Sequence, residues 1–211
     1  MINSHSLHKC NIVFAFRNQN LIPPENGDLV GLYPGDSGKG AQLVDDQMMR
    51  AKILDVPKFG LQIAWEGQRL RIEDLRALEP DDSILMDEAI KAYEKLALHR
   101  GIQLEGLGFN FGIYYQNSDV IRINELFNGI SNESLELGDG LLDFGWQWTL
   151  SRKGGKNIDG YFLKVTAPIE FVIHHNAHFN MHGVPNSNEL KKIFKRSYEE
   201  THKTASALKL Q

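Results

Sequence analysis

Four of the eight histidines crowd into one short stretch: His174, His175, His178 and His182. Imidazole is a preferred zinc ligand, so this is where metal chemistry must be tested first. On a helix, His174 and His178 would share a face four residues apart, as in the HExxH metalloproteases. This stretch reads His174-His175-Asn176-Ala177-His178, so the glutamate that serves as general base is missing.

On a strand the outcome changes. His174, Asn176, His178, Asn180 and His182 then form one face, against Phe171, Ile173, Ala177, Phe179 and Met181 on the other. Strand residues four apart are separated by about 13 Å, at ~3.3 Å per residue. Ligands of one zinc each lie about 2 Å from it. Two such histidines share no metal unless the strand bends or a third element intervenes. The strand is preferred because the alternation already runs upstream through Ile169. The expectation is a His/Asn stripe with no stoichiometric zinc. If the stripe is exposed, His174, His178 and His182 should titrate near the ordinary value of about 6.5.

Two other stretches imitate known sites and fail on spacing, the first of them in two ways. Pro34 to Gly40, PGDSGKG, lacks the glycine five positions before Gly38 and the Ser or Thr after Lys39 that a phosphate-binding P-loop needs. Its Gly35-Asp36-Ser37-Gly38 is similar to the nucleophile loop of chymotrypsin-like proteases. Only His5, His8 and Asp28 precede it, within a short leader, to supply the triad partners. Glu133, Glu136, Asp139 and Asp143 do not alternate around a central glycine as a calcium loop requires. Both stretches read as solvated loops.

The element best suited to position any site is Ile102 to Gln116, IQLEGLGFNFGIYYQ. Leu107, Phe109, Phe111, Ile113 and Tyr115 make one apolar face. Gly106, Gly108, Asn110, Gly112 and Gln116 make a nearly bare one, with Tyr114 the exception. Glycine weakens a strand, so three on one face imply that something approaches closely. Just upstream, Asp81, Asp82 and Ser83 can cap a helix over Ile84 to His99. Its stripe is Met86, Ala89, Ile90, Tyr93, Leu96 and Ala97, and Gly101 ends it. This helix is the expected cover of the glycine face.

The remaining elements follow by periodicity. Asn11–Phe16 reads as a buried strand, 18–28 as a loop and Leu29–Leu32 as a short strand; Leu43–Leu54 leans to strand. Phe59–Trp65 and Arg69–Ile72 form a hairpin through Glu66-Gly67. A short helix is expected over Val120–Asn128. Strands follow over Leu142–Leu150, Tyr161–Ala167 and from Ile169 onward. A last helix carries Leu190, Ile193, Phe194, Tyr198 and Thr201, with Asn186 and Glu189 resembling a capping box. The fold class is α+β: a mainly antiparallel sheet with two long helices and one short helix packed largely on one face. One domain spans 1–211.

A formal net charge of -4 argues against a general nucleic-acid binder. The excess of three positive charges beyond Asn186 marks a solvated helix face. The single Cys10 suits a reducing compartment. No signal-peptide pattern and no long apolar run is present, so a soluble cytoplasmic protein with no membrane or nucleic-acid partner is expected. The leading functional expectation is a non-catalytic binding or protein-interaction domain without a cofactor. It would use His174, Asn176, His178, Asn180 and His182, or the aromatic strand around Trp146 and Trp148, toward a protein or small molecule. The alternative is a metal-dependent hydrolase using His174, His178 and a carboxylate such as Glu170.

Overall fold

The computed structural model describes residues 2–17, 21–34, 41–48, 50–118, 144–151, 157–167 and 169–208. The strands are β1 (Ile2–Phe16), β2 (Gln42–Asp46), β3 (Ala51–Val56), β4 (Leu61–Glu66), β5 (Arg69–Asp74), β6 (Leu104–Asn117), β7 (Phe144–Ser151), β8 (Asn157–Ala167) and β9 (Glu170–Asn180). The helices are α1 (Asn26–Val30), α2 (Leu85–Leu96) and α3 (Ser187–Ala207). Among the described residues these nine strands form one sheet in the order β2-β3-β4-β5-β1-β6-β9-β8-β7. Every neighbouring pair is antiparallel. The α+β class with an antiparallel sheet is as expected.

The apolar face of β6 is buried, and its neighbours continue it. Phe109 lies opposite Ile12 of β1 and Ala177 of β9, and Ile113 opposite Leu7 and Ile173. The stripe of α2 meets this face through Tyr93, stacked 5.0 Å from Phe14. The stripe of α3 meets it through Phe194, 5.4 Å from Phe109 and 5.1 Å from Phe111. Asp87 of α2 bonds Ser187 and Lys191 of α3, which joins the two helices. The Lys191 ammonium holds the Asp87 carboxyl below its ordinary range.

The expectation that α2 covers the glycine face is overturned. The helix does pack back on the sheet, but its apolar stripe seeks the face bearing Phe14 and Phe16. The glycine face carries Asn11, Asn110 and Asn176 in register, and an apolar stripe gains nothing there. Local differences are smaller. β1 begins at Ile2, well before Asn11. Leu29 starts no strand, since it is the buried residue of α1. The leaning of Leu43–Leu54 to strand resolves as the β2–β3 hairpin. Gly67 and Gly101 both sit at left-handed φ, +59° and +68°, where glycine has no steric cost.

Two caps follow the local chemistry. Asn186 Oδ1 accepts from the Glu189 amide at 3.0 Å and starts α3. Ser83 Oγ accepts from the Leu85 amide at 3.2 Å while donating to buried Asp74 at 2.6 Å, which ties the start of α2 to β5. The short helix expected over Val120–Asn128, the PGDSGKG loop beyond Pro34 and the acids Glu133, Glu136, Asp139 and Asp143 lie outside the described residues. Among the described residues, no helix is long and apolar enough to cross a membrane.

Candidate functional site

The glycine face forms the floor of a cleft of about 530 Å³. Its organisation is a set of rows running across the strands. The central row is Glu73, Asn11, Asn110, Asn176 and Gly160, register partners on β5, β1, β6, β9 and β8. Asn110 Nδ2 donates to Asn11 Oδ1 at 2.7 Å, so two of the three amides are locked together. Asn176 is exposed. Each amide carries both donors and an acceptor, so the row can serve either role toward a ligand.

The next row is Arg71, Val13, Gly108 and His178. Arg71 donates to Glu66 Oε1 at 2.9 Å, to Gln62 Oε1 at 3.0 Å and to Glu73, so its guanidinium is held in place as a fixed wall. On the other side of the amides lies the row Lys9, Gly112, His174, Phe162 and Gln147. The sheet curls enough that Glu66 and Arg69 from one half and Gln147 and Phe162 from the other line the same cleft.

The glycines have two different reasons for being bare. A Cβ at Gly106 would lie 2.9 Å from His178 Cε1 and 3.2 Å from the Phe179 carbonyl oxygen. A Cβ at Gly112 would lie 2.5 Å from His8 Cε1. These two make way for imidazoles lying on the β6 backbone. A Cβ at Gly108 would meet only Ala177 O and Asn176 Oδ1, at 3.8 and 3.9 Å, and one at Gly160 nothing within 4 Å. Among the described residues that space is left unfilled.

Of the residues singled out by sequence, His174, Asn176, His178 and Asn180 share this face of β9. His174 and His178 are half-buried, and Asn176 and Asn180 exposed. His178 Nε2 sits 3.1 Å from Asn180 Oδ1. His182 falls beyond the end of β9 and lines a separate depression with Arg17, Tyr93 and Gln103. His174 departs from the ordinary titration expected of an exposed imidazole. Burial pushes its pKa down, and the neighbouring His8, Lys9 and Lys164 push it further the same way.

His175 lies on the other face, in the core. Its ring stacks 4.2 Å from Tyr161, with Nδ1 2.7 Å from Thr201 Oγ1 of α3 and Nε2 3.1 Å from Asp159 Oδ1 of β8. Among the described residues, no three His, Cys, Asp or Glu side chains converge to hold a metal ion. Glu170 begins β9, opposite Gln116, eight residues from His178. These residues therefore do not assemble the hydrolase centre considered above. Trp146 and Trp148 belong to the edge strand β7, opposite Leu163 and Tyr161 in register.

Sequence reasoning found the β9 stripe and the bare face of β6. It missed that Lys9, Asn11, Arg71 and Phe162 complete the cleft. The signal available was Asn11, an amide inside the otherwise apolar run NIVFAF. The chain matches no protein-family model, no curated protein and no solved structure.

Proposed function

We propose that this chain is a non-catalytic binding protein that seats a small polar ligand in the cleft on the glycine face. The observation that carries this reading is the vacant floor at Gly108 and Gly160. Bare glycine costs a strand stability, and among the described residues no side chain packs closely there to repay it. The volume of about 530 Å³ falls in the range of small-molecule sites, about 300–1,000 Å³. The amides of Asn11, Asn110 and Asn176 present mixed donors and acceptors, which favours a ligand rich in hydroxyl, amide or oxyanion groups over an apolar one.

The test is a ligand screen by NMR with a defined panel of monosaccharides, amino acids, dicarboxylates and nucleoside phosphates. A hit should shift the side-chain amides of Asn110 and Asn176, and Gly108→Val should abolish it by filling the floor. A panel with no hit, or hits whose shifts map away from the cleft, would overturn the proposal.

A further inference from the structure

Resting on the cleft as a ligand site, we propose that the ligand is a sugar and that its pyranose ring sits over Gly160. The register borders this glycine on four sides. Along β8, Phe162 and Ile158 stand on the same face two residues to either side of it. Across the sheet, Asn176 of β9 and Thr149 of β7 are its register partners. Phe162 is 37% and Ile158 42% exposed, so two sides offer open apolar surface. Asn176 and Thr149 are exposed as well, so the other two offer an amide and a hydroxyl. Among the described residues, a Cβ at Gly160 would meet nothing within 4 Å.

The size of the seat suits one such ring. Phe162 and Ile158 lie about 13 Å apart along the strand, and Asn176 and Thr149 about 10 Å apart across two strand spacings. Part of each distance is taken up by the side chains themselves. A puckered ring with C–H groups on both faces spans the remaining gap between the apolar sides better than a flat aromatic one. Its hydroxyls then point toward Asn176 and Thr149. Each hydroxyl both donates and accepts, as do an amide and a threonine hydroxyl, so the pairing needs no charge. All four bordering side chains are neutral, which favours a neutral sugar over an acidic one.

The apolar side is held in place before any ligand arrives. Phe162 stacks on His174 at 6.0 Å, and His174 meets the ring of His8 at 5.5 Å. His8 reaches this face through a β-bulge, since the register runs Leu7 opposite Ile113 and then Lys9 opposite Gly112. Gly112 makes room for it, because a Cβ there would sit 2.5 Å from His8 Cε1. On the other side of Asn176, His178 is held 3.1 Å from Asn180 Oδ1. A wall already ordered loses little freedom on binding.

The experiment is an NMR titration with the methyl glycosides of glucose, galactose and mannose, with sorbitol as an open-chain polyol, and with an amino acid and a dicarboxylate. The expected result is that at least one glycoside binds and shifts the Asn176 side-chain amide, the Thr149 amide and the Ile158 methyl groups. Sorbitol, which has hydroxyls but no rigid C–H face, should bind about tenfold more weakly or not at all. Salt should leave the affinity unchanged, as no ion pair forms. Gly160→Val puts a residue favoured in strands into open space, so it should abolish binding without lowering the unfolding midpoint. Thr149→Val keeps the shape at an exposed position and should weaken binding about fivefold, the loss of one neutral hydrogen bond. No response to any glycoside, or a response indifferent to both Gly160→Val and Thr149→Val, would overturn the inference. The cleft reading fails separately. Binding of the amino acid or dicarboxylate alone, lost in Gly108→Val, would leave the cleft standing and remove only the sugar.

Discussion

His175 Nε2 lies 3.1 Å from Asp159 Oδ1 while its Nδ1 reaches Thr201 at 2.7 Å, all three side chains being buried. One imidazole thus ties β9, β8 and α3 together inside an otherwise apolar layer. Thr201 Oγ1 is also 3.1 Å from the Ser197 carbonyl, so the polar chain continues into the helix backbone. Such a network is stabilising only while each member keeps its partners. His175→Phe preserves a ring against Tyr161 but removes both nitrogens beside a buried carboxylate. It should cost about 3–5 kcal/mol. Thr201→Val should cost about 1–3 kcal/mol. Chemical denaturation of the two variants checks the order: equal and negligible losses would mean the network adds nothing.

The two kinds of glycine in β6 should answer differently to one added methyl group. Gly108→Ala meets only ordinary contacts and removes the backbone entropy cost of glycine. Its expected effect is a gain of about 0.5–1 kcal/mol. Gly106→Ala drives a Cβ into His178 and the Phe179 carbonyl oxygen, and the latter is backbone that moves only with β9. A loss of about 1–3 kcal/mol is expected. Thermal melts of both variants decide the matter, and a destabilised Gly108→Ala would show that the floor is filled.

Stability should decline in mild acid through His202 of α3. Its Nδ1 is 3.1 Å from the Tyr115 hydroxyl, and its ring lies 4.4 Å from that of His5 and 4.6 Å from that of Tyr198. Burial lowers its pKa and His5 lowers it further, against a smaller opposing pull from Glu79. The unfolded chain therefore binds the proton more readily than the folded one. This contribution is complete above the ordinary histidine value of about 6.5 and is lost as pH falls through it toward the depressed folded value. His174 acts in the same direction. Unfolding free energies measured from about pH 7.5 to 5 should slope less in His202→Gln, which keeps an amide near Tyr115 but does not titrate. An unchanged slope would assign the acid sensitivity elsewhere.

What the chain carries in its own pattern is the periodicity of its elements. The alternation through Phe109, Phe111 and Ile113, the helical stripe from Met86 to Ala97 and the cap at Asn186 each rest on neighbours within one element, so local physics is enough to read them. The facing of His174, Asn176, His178 and Asn180 was legible for the same reason. Which face the helices would cover was not. That depends on what β1 and β9 place beside β6, and the amides of Asn11 and Asn176 lie 99 and 66 residues from Asn110. The cleft is likewise a property of strand order, because only pairing across the sheet sets Lys9 opposite Gly112 and Gly112 opposite His174. His8 adds a further step, since a bulge breaks the alternation from which its direction would otherwise be read. Register between distant strands is decided by the packed core as a whole, and tertiary structure alone turns separate histidines, amides and lysines into one surface.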